Sequence, residues 1–180
     1  MLYHPTEAKP NQSGGFDAVC TRCGSKFAIP LLQKSVEIDA PKEKVYTQGV
    51  DYRQWPKLNP EVLSVELIAE SVNEQHIAAV FRRKNGKLWK TTITHRVVSS
   101  ERIEEEQPLR WNANVLLVET YERSGEGTRF TLALGVYHPH LGVVGRHLIP
   151  VLRPRVERAI RKALESNVER RKRAAETFQP

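Results

Sequence analysis

Cysteine is nearly absent from this sequence: Cys20 and Cys23 are the two in 180 residues. They are too few and too close together to be the cross-linked framework of a small secreted domain, and they suit a reducing compartment equally well. No apolar run approaches the length needed to cross a bilayer, and residues 1–10 have neither a charged-then-apolar leader nor an Arg-rich amphipathic pattern. A cytoplasmic location is the default expectation. Also missing are a Ser/His/Asp order, a phosphate-binding glycine loop and a dinucleotide fingerprint, so no standard catalytic motif declares itself. Acidic side chains are the minority charge, 21 against 28 Lys and Arg, and the net +7 with a pI near 9.6 raises the question of acidic partners.

What is present fits a soluble globular chain: 39% hydrophobic and 27% charged residues, in a length that suits one domain with an appendage. The last long stretch, residues 142–176, organises the rest. Leu148, Leu152, Val156, Ile160, Leu164 and Val168 recur every four residues, with Ala159 and Ala163 beside them, an apolar stripe that something must cover. Pro150 and Pro154 predict an irregular or kinked entry and a regular helix from about Pro154. Between Arg146 and Arg173 there are ten Lys or Arg and three Glu, a surplus of seven that equals the net charge of the whole chain.

Residues 1–32 have turn and linker composition and read as an N-terminal extension, with the main domain from 33 to 180. Within the extension, Cys20-Thr-Arg-Cys23-Gly24 followed by Ser25-Lys26-Phe27 has the form of one knuckle of a zinc ribbon. Zinc held by Cys20 and Cys23 would need two further ligands from a second copy, a partner or distant histidines. The alternatives are a decayed knuckle or two free thiols on an arm. From Gln33 the pattern alternates, with Val36 and Ile38 on one face of a strand that Ala40-Pro41 ends. Asp39 can cap a helix opened by Pro41, with Val45, Tyr46 and Val50 on its buried face. Tyr52-Arg53-Gln54-Trp55 reads as a second short helix stopped before Pro56.

Strands are expected over residues 62–71, 75–83, 88–99, 111–123 and 128–137, with Asn85-Gly86 as a tight hairpin. On the third of these, Trp89, Thr91, Ile93, His95 and Val97 share a face. Arg102 to Glu106 is short and acidic, and its glutamates read as a solvated edge strand. With the first strand this makes six or seven antiparallel strands.

The runs Ser35-Val-Glu-Ile-Asp-Ala-Pro41, Val45-Tyr46, Asp51-Tyr-Arg-Gln-Trp-Pro56 and Asn59-Pro60 resemble the opening of the START-like (SRPBCC) superfamily, which includes Bet v 1-like proteins and the polyketide cyclase/dehydrase and lipid-transport families. Gly142-Val-Val-Gly-Arg-His-Leu through Leu152-Arg-Pro-Arg-Val-Glu-Arg-Ala159 is similar to their long C-terminal helix. The likeness covers about residues 33–176. It implies an α+β helix-grip fold: a curved antiparallel sheet of six to seven strands wrapped around the long helix, with two short helices after the first strand. It implies a ligand cavity too, but no shared catalytic residues.

The residues expected to line such a cavity are Trp89, Thr91, Ile93, His95, Trp111, Phe130, Leu132, Leu148 and Leu152. For each the ordinary alternative is a filled core. Thr91 and His95 would need partners if buried, which a ligand could supply. The function expected is binding or transport of a hydrophobic small molecule such as a lipid, quinone or polyketide-like compound. The alternatives are a cyclase or dehydratase in which His95 or Tyr121 moves protons, and a non-catalytic interaction protein docking through the CxxC arm and the basic helix. Arg170, Arg171, Lys172 and Arg173 offer a contact for an anionic membrane or an acidic protein. The stretch has no aromatics to stack on bases, which argues against nucleic acid. A homodimer is a further expectation tied to the cysteine pair.

Overall fold

The computed structural model describes residues 27–83, 85–109, 113–137 and 143–177, with side chains from residue 31 in the first strand and from residue 151 in the last helix. Cys20, Cys23, Trp111 and the Leu148 side chain lie outside what it describes, as do residues 138–142 and most of the N-terminal extension.

The chain runs β1 (Phe27–Ile38), α1 (Lys42–Val50), a 3-10 turn (Tyr52–Gln54), α2 (Trp55–Leu58), β2 (Val62–Glu70), β3 (Glu74–Arg82), β4 (Leu88–Ser99), β5 (Arg102–Pro108), β6 (Asn114–Ser124), β7 (Gly127–Tyr137) and α3 (Val143–Thr177). The strands form one antiparallel sheet in the order β1-β7-β6-β5-β4-β3-β2. It curves around α3, which lies along β1 and β7, and this is the helix-grip fold. Residues 27–32, part of the stretch with linker composition, are already in β1, where Leu32 pairs with Leu134.

Local details depart from the sequence pattern in physically simple ways. Pro41 itself is the N-cap of α1 and no side chain among the described residues caps that helix; the Asp39 amide instead donates to the Glu176 carboxylate at 3.1 Å, tying β1 to the end of α3. The second short helix does not stop before Pro56. It passes from the 3-10 turn into α2 with Pro56 in the first turn, where a missing amide leaves no bond unmade. Likewise α3 begins at Val143 and runs through both prolines for 35 residues, about 50 Å at 1.5 Å per residue. Residues 151–155 are exposed, so water can take the carbonyl that the Pro154 ring leaves free.

β5 lies in the middle of the sheet, between β4 and β6, and not at an edge. Its glutamates tolerate that position because each has a partner. On the outer face Arg102 pairs with Glu104 at 2.8 Å, and Arg96 reaches Glu106 at 3.4 Å and Glu74 at 2.5 Å. Glu105 points the other way, toward α3, as strand alternation requires.

Val156, Ile160, Leu164 and Val168 of the expected stripe, with Ala175 beyond it, pack against Ile38, Phe130 and Leu132 of the sheet and Val45 of α1, whereas Ala159 is exposed. Leu152, a turn further back, is 42% exposed. α1 is held at the other end of the sheet by Tyr46, whose hydroxyl donates to the Ser99 carbonyl at 3.0 Å, and by Lys42 on Glu101 at 2.8 Å.

Candidate functional site

Two stripes run side by side along α3. Beside the core stripe lies a second, Ala163, Asn167, Arg170, Arg171 and Ala174, which faces the inner surface of the sheet without filling the space. The small side chains of Ala163 and Ala174 leave room there. The result is a cavity of about 460 Å³, bordered on another side by Trp55 and Leu58 of α2. Its wall is mainly apolar: Phe81 and Trp89 at the base of the β3–β4 hairpin, Ile93 on β4, Leu117 on β6, and Phe130, Leu132 and Leu134 on β7. Glu105, Gln107 and Glu119 interrupt it from the sheet, and Asn167, Arg170 and Arg171 from the helix.

Of the residues expected to line a cavity, Trp89, Ile93, Phe130 and Leu132 do. Thr91 and His95 share the inner face of β4 but are not on the cavity wall, and Leu152 lies on an exposed part of α3. His95 is completely buried behind the wall. Its Nδ1 is 3.4 Å from a Glu105 carboxylate oxygen, its ring meets Trp55 edge-on at 5.8 Å, and its Nε2 has no hydrogen-bond partner among the described residues.

The main polar feature was hidden in the run of basic residues. Arg171 turns inward, where its Nη2 donates to both Glu119 oxygens at 2.9 and 2.8 Å, and its guanidinium lies 5.6 Å over the Phe130 ring. Tyr121, fully buried, donates to the same Glu119 carboxylate. Burial is the largest single influence on Arg171 and pulls its pKa down, but the charge and hydrogen bond of Glu119, with Tyr121 and the Glu105 charge, together outweigh it and hold the guanidinium firmly protonated. Burial pushes the Tyr121 phenol well above the usual tyrosine value; the nearby Arg171 charge opposes this only in part. The other three cations diverge. Arg170 lies on the cavity wall, 3.9 Å from Glu61, Lys172 pairs with Glu176 at 3.8 Å, and Arg173 is exposed.

The Tyr121 shift carries a pH prediction. The unfolded chain ionises this phenol near 10.0, whereas the folded chain keeps it protonated. Its contribution to stability is therefore complete below pH 10 and is lost as the pH rises above it. The stability measured by urea unfolding will fall by roughly 1 kcal/mol in total between pH 9 and 11 through this group, most of it above pH 10, and Tyr121→Phe will remove that component.

Among the described residues no group of three His, Cys, Asp or Glu is placed to hold a metal ion, and no helix is long and apolar enough to cross a membrane. The cysteine pair proposed for zinc falls outside them.

A seven-stranded sheet gripping one long helix around a mainly apolar cavity defines the START-like class. The chain belongs within it to the family described as polyketide cyclase / dehydrase and lipid transport, whose model matches residues 31–172. No curated protein matches the sequence. Among solved structures, the di-domain ARO/CYC StfQ from the steffimycin biosynthetic pathway superposes with a TM-score of 0.67 at 15% identity, over 82% of this chain and 50% of that one. The chain thus spans half the length of such di-domain proteins. A protein from Thermus thermophilus gives 0.61 at 21% identity, over 81% of this chain and 97% of its own. The Zhui aromatase/cyclase from Streptomyces sp. R1128 gives 0.59 at 15%, over 82% and 96%. At these identities the likeness is one of fold.

Proposed function

We propose that this chain binds one largely apolar small molecule carrying a carbonyl or hydroxyl group, of the lipid, quinone or polyketide-like kind, in the cavity under α3. A volume of about 460 Å³ suits such a guest, since small-molecule sites span roughly 300–1,000 Å³. The observation that carries the reading is Gln107. Its side-chain nitrogen is buried on the apolar wall with no acceptor among the described residues, and an unmade buried hydrogen bond costs about 1–3 kcal/mol. A ligand oxygen would supply the acceptor while its apolar body covers Phe81, Trp89 and Ile93.

Native mass spectrometry of protein purified gently from its own host, followed by denaturing extraction, tests this directly. About one apolar molecule per chain is expected. Ala163→Trp fills the cavity from the helix side and will weaken uptake of that molecule by at least about tenfold, ~1.4 kcal/mol. An empty protein that takes up no apolar probe would sink the proposal.

One observation favours a second reading, catalysis of the cyclase or dehydratase kind. Glu105 is on the cavity wall and His95 backs it at 3.4 Å, so the carboxylate could accept a substrate proton with the imidazole holding it in place. In that case Glu105→Gln removes turnover and leaves ligand affinity within about twofold, because the amide keeps the shape of the wall. If no ligand found in the cavity is converted by the unaltered protein, the carrier reading stands alone.

A further inference from the structure

Residues 82–90, Arg-Arg-Lys-Asn-Gly-Lys-Leu-Trp-Lys, include five cations and no acid, a density that the more conspicuous helix conceals. They form the tip of the β3–β4 hairpin. The turn is held by its own bonds, from the Gly86 amide to the Arg83 carbonyl at 2.8 Å and from the Lys87 amide to the Asn85 side chain at 3.1 Å, with Gly86 at φ +76°. These bonds fix the described residues of the turn, and Arg82, Arg83, Lys87 and Lys90 are exposed on it. Among these cations Leu88 is 59% exposed. An apolar side chain placed in water amid like charges gains nothing from the fold. Arg83 packs its guanidinium 5.2 Å over the Trp89 ring, but among the described residues nothing comparable accounts for the other cations or for Leu88, and the hairpin would repel itself less on a negative surface.

Trp89, between Leu88 and Lys90, turns the opposite way and lines the cavity with Phe81, its cross-strand partner. Strand directions bring other exposed apolar side chains to this end of the sheet: Leu63 at the start of β2 and Leu109 after β5. The first turns of α3 leave the sheet from the same end, with Val151 and Leu152 exposed. Cations around projecting apolar residues match the layered chemistry of an anionic bilayer, where charge meets headgroups and leucine enters the acyl boundary.

We propose that the β3–β4 hairpin docks this chain on an anionic lipid surface, through Arg82, Lys87 and Lys90 with Leu88 inserted. The contact would hold the Phe81–Trp89 end of the cavity against the membrane. It does not depend on what the cavity binds.

Sedimentation of the full chain with phosphatidylcholine vesicles, with and without phosphatidylserine, tests the proposal. Binding is expected only with phosphatidylserine and will weaken as salt is added. At about fivefold per cation, Lys87→Ala with Lys90→Ala will weaken it about 25-fold. Leu88→Ser will weaken it without changing its salt dependence. These side chains are exposed, so the variants are expected to keep the unaltered protein's urea midpoint and its uptake of an apolar probe; Arg82→Ala provides an independent variant should the pair disturb folding. Failure to sediment with anionic vesicles, or equal sedimentation of the double variant, would overturn the proposal. So would binding to soluble polyglutamate as tight as to vesicles together with indifference to Leu88→Ser, which would assign the hairpin to an acidic protein.

Discussion

Arg171→Met will destabilise the fold by about 3 kcal/mol, because it leaves Glu119 with a buried charge and no cation. Side-chain exposures of 12% for Arg171 and 10% for Glu119 put the pair well inside the protein, where removal of one partner typically costs about 3–5 kcal/mol. Both groups also border the cavity, and water there can solvate a stranded carboxylate in part. That sets the expectation at the lower end. The loss includes the guanidinium's contact with the Phe130 ring, at most about 1–2 kcal/mol. Urea unfolding measures the total. The double substitution Arg171→Met with Glu119→Leu separates charge from packing: removing both charges will recover most of the stability, leaving the Tyr121 hydroxyl as the group still in want of a partner. A single variant that loses less than about 1 kcal/mol would mean that Glu119 is as well solvated as a surface residue.

The same cluster marks the limit of what the sequence reveals. The helical stripe and the strand alternation were legible because both are periodic, and burial on a sheet or helix face enforces that period. Thus Ile160, Leu164 and Val168 are in the core, and Phe130 and Leu132 face them. Trp89 and Ile93, four residues apart on β4, both reach the cavity. Arg171 was harder to place, since Arg170 to Arg173 reads as one solvated helix end. Spacing does contain the signal: Arg171 stands three residues after Val168 and four before Ala175, on the buried line of the helix. Glu105 and Glu119 likewise occupy inward positions of their strands, alternating with the outward Glu104, Glu106 and Val118. Composition suggested solvent for the three consecutive glutamates, whereas the position of β5 is set by which strands pair, a nonlocal fact with no local pattern. The distinction between His95 behind the wall and Ile93 on it was also out of reach. It depends on Trp55, brought over β4 by a helix more than thirty residues earlier in the chain.

Gly49→Ala carries the second large effect and follows from the same cluster approached from α1. Gly49 is not kept for its backbone freedom, since the described glycines with positive φ are Gly86 and Gly125. In a helix its replacement by alanine would ordinarily gain about 1 kcal/mol. Here an added Cβ would collide with the Tyr121 hydroxyl and lie 3.0 Å from both a Glu119 oxygen and the Ile103 side chain. Tyr121 has little freedom to yield. Its ring is packed edge-on to Tyr46 at 5.4 Å and against Phe130 at 5.3 Å, and its hydroxyl is committed to Glu119. Overpacking at such a site costs about 1–3 kcal/mol, and displacing the phenol from its carboxylate adds about 1–3 kcal/mol, so together they outweigh the helix gain. A net loss of about 3 kcal/mol is expected in urea unfolding. Combining Gly49→Ala with Tyr121→Phe discriminates the cause, because removing the oxygen removes the collision. The double variant will be more stable than Gly49→Ala alone, reversing the usual penalty for deleting a buried hydroxyl. If instead the two losses simply add, α1 does not press on Tyr121, and the close approach of α1 to the Arg171–Glu119 pair is not what holds that end of the cavity together.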